Sequence, residues 1–208
     1  MKALYETNYT FPGQTGMRRG KVRDLYEIGD QYLVIITTDR ISAYDVVLKE
    51  AIPYKGQVLT QVSDFMFRTF SGEVPMAWVA TPDPNVLLMR RAKVYPVEVI
   101  VRRCLVGYVW RLYRAGGRMI SGVRLPEGLI ENDLLPEPII TPTTKSVIGH
   151  DVEISEREIV ASGLVPASAW EKIRSYALHL FERGTAIAER GGMLLCDAKY
   201  EFGEVEGE

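Results

Sequence analysis

At 208 residues the chain can bury a sizeable core, in one large domain or two small ones. It is 47% hydrophobic and 25% charged, as in ordinary soluble globular proteins, and 25 Lys and Arg against 27 Asp and Glu leave a net charge of -2, which argues against a general nucleic-acid binder. Residues 1–20 lack the apolar segment of a signal peptide and no apolar run is long enough to span a membrane, so the expectation is a cytoplasmic protein with no membrane partner.

Residues 11–20, Phe-Pro-Gly-Gln-Thr-Gly-Met-Arg-Arg-Gly, are glycine-rich and basic and lead into Lys21-Val22-Arg23-Asp24-Leu25-Tyr26-Glu27-Ile28. Gly29-Asp30 is a turn signal and residues 32–38 are a β-rich run, so the stretch predicts an antiparallel hairpin. A glycine-rich approach lets backbone amides come close to phosphate, and Lys21 and Arg23 add charge on one strand face. It is not a Walker A loop, because Thr15 stands where the first glycine is needed and Val22 where Ser or Thr would bind metal. A basic hairpin loop and a phosphate loop are equally good readings of this stretch alone.

Thr38-Asp39-Arg40-Ile41-Ser42-Ala43-Tyr44-Asp45 reads as a polar loop, either a capped turn or a ligand loop. Over residues 56–70, Val58, Leu59, Val62, Phe65, Met66 and Phe70 recur at helical spacing and predict a core-facing amphipathic helix. Residues 74–84 are Pro-rich and predict loop and extended chain. Residues 86–89 and 97–101 predict strands joined by a connection between two lobes. On the second strand Val97, Val99 and Val101 face one way, and Glu98, Ile100 and Arg102 the other. Such a Glu and Arg are either a pair or ligand groups. Residues 107–115 predict a short helix with Val109, Trp110, Leu112 and Tyr113 inward, stopped by Gly116-Gly117.

Residues 125–149 are rich in Pro and Gly with little periodicity, a loop of functional or disordered length. His150 could titrate, or simply lie at the surface beside Asp151. Ser155 with Glu158, and Ser168 with Glu171, read as capping boxes. The second opens a helix to Arg190 with a core stripe of Trp170, Ile173, Ala177, Phe181 and Ala188. Leu194-Leu195-Cys196-Asp197-Ala198-Lys199-Tyr200-Glu201-Phe202-Gly203 then predicts a strand. Its Asp197, Lys199 and Glu201 share one face, and Ala198, Tyr200 and Phe202 the other. An acid-base-acid row on a rigid element suits a polyanion with its metal; the competing reading is an edge strand with weakly paired charges. Cys104 and Cys196 sit among apolar neighbours and read as free core thiols, and no Cys/His cluster has zinc spacing.

Six segments in combination resemble the SAICAR synthetase family, the phosphoribosylaminoimidazole-succinocarboxamide synthases of purine biosynthesis. They are Gly20-Lys21-Val22-Arg23-Asp24, residues 38–45, Pro96-Val97-Glu98-Val99-Ile100-Val101-Arg102, Leu125-Pro126-Glu127-Gly128-Leu129, Thr141-Pro142-Thr143-Thr144-Lys145, and Asp197-Ala198-Lys199-Tyr200-Glu201-Phe202-Gly203. They occur in the family's order and cover nearly the whole chain. The resemblance implies an α+β fold: a small antiparallel ATP-binding lobe over residues 1–92, similar to that of protein kinases, and a larger α+β substrate-binding lobe over residues 93–208. It implies an ATP-dependent ligase with Mg2+ that joins L-aspartate to carboxyaminoimidazole ribonucleotide, giving SAICAR, ADP and phosphate. By resemblance, Lys21 and Arg23 lie near the ATP phosphates, backbone around Lys93 and Val94 reads the adenine, and Glu201 binds Mg2+ beside the nucleotide. Glu98, Arg102, Asp197 and Lys199 hold the ribonucleotide, with Asp197 and Lys199 catalytic, while Ser42, Asp45, Lys145 and Asp151 lie near substrate or metal.

Two features depart from the family pattern. Tyr108 stands where many members carry Ser, and the family continues past Glu-Phe-Gly with a strand bearing a metal-binding acid and a Pro-Asp-Ser-Ser-Arg-like segment that these 208 residues do not include. The chain therefore reads as C-terminally shortened relative to the family. A kinase-like phosphotransferase and a non-catalytic nucleotide-binding remnant are the rival readings, and the resemblance leaves homo-oligomerisation open.

Overall fold

The β-prone runs of the first ninety residues pair as expected for alternating apolar strands, but with more strands than the periodicity announces. In the computed structural model, which describes residues 2–43, 46–145 and 152–207, β1 (Gln14–Arg19), β2 (Arg23–Ile28) and β3 (Tyr32–Thr37) form an antiparallel meander. The expected hairpin is β2–β3, turned at Gly29, whose φ of 53° suits glycine. The basic segment before it is not a loop; most of it is β1. β4 (Arg40–Ala43) and β5 (Val46–Ala51) form a separate two-stranded ladder where a polar loop was expected. After α1 (Lys55–Thr69), β6 (Trp78–Asp83) and β7 (Val86–Arg90) complete a five-stranded sheet in the order β1-β2-β3-β7-β6. β6 lies in the Pro-rich stretch read as loop and extended chain, and is its extended part. It is an edge strand, where Pro82 need not donate to a ladder. Tyr26, Val34 and Ile36 are the buried centre of this unit, with Leu4, Phe11, Ile28, Val86 and Leu88 packed around them.

The helix α1 corrects the expectation of a core-facing apolar stripe. Val58, Leu59, Val62 and Phe65 are exposed, while Gly56 and Thr60 are buried. A Cβ on Gly56 would stand 2.3 Å from the Thr37 carbonyl oxygen, and the Thr60 hydroxyl donates to the Thr37 hydroxyl at 3.0 Å. A small residue and a hydroxyl therefore set the packed side; Val58, Leu59, Val62 and Phe65 turn outward, while Met66 is half-buried and Phe70, at the helix end, is buried as expected.

The chain divides into two units, Met1–Lys93 with Val205–Glu208, and Val94–Glu204. The second is built around β8 (Lys93–Cys104), which begins earlier than the strand predicted at residue 97. Next come α2 (Gly107–Arg114), the small hairpin β9 (Met119–Ile120) and β10 (Val123–Arg124), then β11 (Leu134–Ile140), β12 (Thr143–Thr144) and β13 (Val152–Glu153). α3 (Glu156–Ala161), α4 (Ala167–Arg190) and β14 (Asp197–Glu204) complete it. β11 and β12 pair successively along one edge of β8, with Thr141 N–H donating to the Ile100 carbonyl between them. Both lie in the stretch read as loop. β14 pairs β8 on its other edge. Cross-strand contacts join Cys196 to Arg103, Asp197 to Arg102, Lys199 to Glu98 and Glu204 to Tyr95, so the numbers run in opposite senses and the pair is antiparallel.

Alternation on β8 and β14 produces two unlike faces. Val97, Val99 and Val101 pack with Trp170, Ile173, Ala177 and Phe181 of α4, and Ala198, Tyr200 and Phe202 join them. Each large apolar side chain buried this way contributes about 1.5–3 kcal/mol before entropy. Burial also pushes the Tyr200 phenol up to about 12. A second cluster of Leu105, Val109, Tyr113, Ile120, Leu125 and Leu135 anchors α2. The capping box of α3 is present: Ser155 Oγ accepts from Glu158 N–H, and the Glu158 carboxylate accepts from Ser155 N–H. The box expected at Ser168 is not. α4 starts at Ala167 after Pro166, with no side-chain cap, so Ser168 lies inside its first turn.

Candidate active site

The face of the second unit opposite α4 carries the charges that the valine face excludes. Lys199 Nζ hydrogen-bonds Glu98 Oε2, Arg102 Nη1 meets Asp197 Oδ2 at 2.9 Å, and Lys145 Nζ meets Glu201 Oε2 at 2.5 Å. The β8 members are sunk, with side-chain exposures of 11% for Glu98 and 12% for Arg102, whereas Asp197, Lys199 and Glu201 on β14 remain 46–51% exposed. Floor and rim are thus distinct, and the rim is open to a ligand. Exposed ion pairs contribute about 0–1 kcal/mol, and sinking Glu98 and Arg102 costs desolvation. Stability alone does not account for this row.

The floor is braced from neighbouring strands. Arg102 Nε donates to the Thr141 hydroxyl at 2.8 Å. Burial pulls the Arg102 guanidinium down from its ordinary value, while Asp197, Glu153 and Tyr108 oppose that. The Tyr108 hydroxyl donates to Glu153 Oε1 at 2.5 Å, and Glu153 Oε2 accepts the Ser121 N–H at 3.2 Å. The hydrogen bond to Glu153 and then burial push the Tyr108 phenol up. Glu153 and Ser121 were not anticipated, since their sequence surroundings carry no periodicity that points to this cluster. Thr141 belongs to a motif already singled out.

In the first unit, Lys21 lies in the turn between β1 and β2, closed by Gly20 N–H donating to the Arg23 carbonyl at 2.8 Å. Lys21 and Arg23 are exposed. The turn is held from beneath by Arg40, 3% exposed, which donates to the Lys21 and Gly20 carbonyls, each at 3.0 Å, to Asp24 Oδ1 at 2.9 Å, and to the Tyr5 carbonyl. Asp24 is fully buried. Burial would raise its carboxyl, but hydrogen bonds from Thr7 N–H, Arg40 and the Thr7 hydroxyl outweigh that and hold it below its usual value. Asp39 also points inward, accepting from Leu4 N–H and Gly56 N–H. Lys55, which opens α1, is pulled down by burial and then by the charge of Arg23, with Asp39 opposing; no motif singled out this second cation near Arg23.

Glu98, Arg102, Lys145, Asp197, Lys199 and Glu201 come together on the one face of the second unit. Ser42 is half-buried on β4 opposite Val47. Lys93 and Val94 are exposed at the start of β8. Asp45, His150 and Asp151 lie outside the described residues. Among the described residues no group of three or more His, Cys, Asp or Glu side chains could hold a metal. The face offers instead exposed carboxylates, that of Glu201 shared with Lys145, which fit a Mg2+ taking most of its oxygens from phosphate and water. No helix among the described residues is long and apolar enough to cross a membrane.

These features define a two-unit α+β protein with an ordered ionic face on its central strand pair. The family model described as SAICAR synthetase matches residues 16–208. The chain is 49% identical over 208 residues to the phosphoribosylaminoimidazole-succinocarboxamide synthase of Bacteroides thetaiotaomicron, covering 100% of this chain and 66% of that protein. To the enzyme of the same name from Legionella pneumophila strain Lens it is 46% identical over 194 residues, 91% of this chain and 61% of that one. Among solved structures, the SAICAR synthase of Saccharomyces cerevisiae complexed with SAICAR superposes with a TM-score of 0.82 at 33% identity, covering 92% of this chain and 69% of that one. A type-2 SAICAR synthetase in complex with ADP gives 0.79 at 25% identity, covering 93% and 77%. The chain belongs to the SAICAR synthetase family, and it spans just under two thirds of the length of the first of these relatives.

Proposed function

We propose that this protein joins L-aspartate to carboxyaminoimidazole ribonucleotide in the cytoplasm, at the expense of ATP, to give SAICAR, ADP and phosphate. The observation that carries the reading is the row of three acid-base pairs on the β8–β14 face. A carboxylate is a poor acyl donor. Phosphoryl transfer from ATP to the ribonucleotide carboxylate makes an acyl phosphate, and the aspartate amine displaces phosphate from it. All reactants are anionic, so the protein's work is mainly neutralisation and positioning. Arg102 and Lys199 exchange their carboxylate partners for ligand phosphate or carboxylate oxygens, and Glu98 and Asp197 accept hydrogen bonds from the ribonucleotide's donors. Lys145, Ser42, Asp45 and Asp151 serve substrate or metal. Glu201 would hold Mg2+, which supplies charge neutralisation at phosphate oxygens.

In the first unit Lys21 and Arg23 meet the ATP phosphates, and backbone at Lys93 and Val94 reads the adenine. The like charges of Arg23 and Lys55 brought close together suit a polyanion. ADP release should require both aspartate and the ribonucleotide. Release with ATP and another hydroxyl acceptor would favour a phosphotransferase, and ATP binding without turnover a non-catalytic protein. Replacing Lys21 and Arg23 together by Ala should weaken ATP binding at least roughly tenfold, the scale of a charge-assisted hydrogen bond worth about 1.5–3 kcal/mol. Unfolding should hardly move, because both side chains are exposed. An unchanged Kd in calorimetry would rule out the phosphate assignment.

A further inference from the structure

Cys104 ends β8 and is 1% exposed, and Cys196, just before β14, is half-buried rather than the core thiol its neighbours suggested. The Cys196 carbonyl accepts from two successive N–H groups, Arg103 at 2.8 Å and Cys104 at 3.3 Å. Two donors opposite one carbonyl make a bulge, and the bulge brings Cys104 across from Cys196. Directly paired residues of adjacent antiparallel strands lie about 4.5–5.5 Å apart at Cα, inside the span of about 4.4–6.8 Å that a disulfide bridges. Both thiols are free, and Cys196 is near enough to bear on the ionisation of Cys104.

We propose that Cys104 and Cys196 form a reversible dithiol–disulfide pair, a modification site for peroxide-class oxidants. The two thiols differ in access, which orders the chemistry. Burial, with the Cys196 thiol adding to it, pushes the Cys104 thiol up to about 11, so Cys104 is poorly reactive on its own. Cys196 meets the oxidant. Its thiolate attacks one peroxide oxygen, the S–O bond forms, the O–O bond breaks and hydroxide leaves. The Cys104 sulfur then attacks the Cys196 sulfur, the S–S bond forms and the S–O bond breaks. The departing oxygen takes the Cys104 proton and leaves as water. Two thiols lose two electrons in all, and the peroxide becomes two waters. The cross-link fastens β14 to β8 beside the Arg102–Asp197 pair, since Cys196 directly precedes Asp197.

The test oxidises the folded protein with hydrogen peroxide, blocks residual thiols with iodoacetamide after denaturation, and maps tryptic peptides. The expected result is an intact mass lower by two hydrogens, neither cysteine alkylated, and peptides 104–111 and 191–199 joined. Dithiothreitol should reverse all three. In a Cys196→Ser variant, checked for folding by circular dichroism, the mass should not fall and Cys104 should be alkylated in full. The proposal is overturned if oxidation adds oxygen at Cys196 while Cys104 is still alkylated, or if the disulfides formed link separate molecules.

Discussion

Lys199→Ala is expected to lower aspartate-dependent ADP release by about 100-fold or more, the usual cost of removing one electrostatic contact to a developing charge. Glu201→Gln should do likewise through the nucleotide, raising the Mg-ATP requirement as it lowers the rate. Both side chains are about half exposed, so the loss should come without a comparable loss of stability. Lys199→Ala does strand Glu98, which is nearly buried. The double variant Lys199→Ala/Glu98→Gln removes that orphaned charge and should recover any lost melting temperature while remaining inactive. If both single variants fold and turn over at near wild-type rates, the ionic face is not where the reaction occurs.

Arg40→Met should give a large stability loss in the first unit. It removes the guanidinium that ties the Gly20 and Lys21 carbonyls to Asp24, and it leaves a fully buried carboxylate with Thr7 and the half-exposed Arg19 as partners. Breaking one member of a buried charge pair costs about 3–5 kcal/mol, on the order of 10 °C in Tm for a chain of this size. Denaturant unfolding checks it, and an unchanged midpoint would show that Arg40 is dispensable. The pH dependence has a definite sign. The folded carboxyl of Asp24 lies below its ordinary value, so its contribution is present above that ordinary value and is lost as pH falls through the lower folded one. Asp24→Asn should therefore flatten the acid limb of the stability curve below about pH 4.

What could be read in the sequence was what is local. The alternation of β14 and the α3 capping box depend on neighbours one to four residues away, and both are present in the structure. The apolar stripe of α1 was equally visible, but a stripe says which side chains share a side, not which side is packed. Contact of Gly56 and Thr60 with Thr37 settled that, across some twenty residues of chain. Strands β6 and β11 were hidden by Pro82, Pro136 and Pro138, residues that break a period without preventing irregular pairing; β11 shifts register between Leu134 and Ile139. On the candidate face, Asp197, Lys199 and Glu201 could be placed together from period two. Their partners could not, because Glu98 and Lys199 are 101 positions apart. Nor could composition tell that Asp24, Asp39 and Arg40 are buried supports, since polar letters look alike whether they meet solvent or the chain's own backbone.

The pairing on the β8–β14 face also has a kinetic consequence. Glu98, Asp197 and Glu201 carry three negative charges, and Arg102, Lys145 and Lys199 three positive ones, so the six sum to zero. Such a row has almost no field beyond a Debye length, about 8 Å at physiological ionic strength. It would not draw a distant polyanion in as a uniformly basic cleft does. An arriving anion would feel the row at contact, where a cation is freed by displacing its acidic neighbour. Discrimination would then be exerted after encounter, through dissociation, rather than through capture.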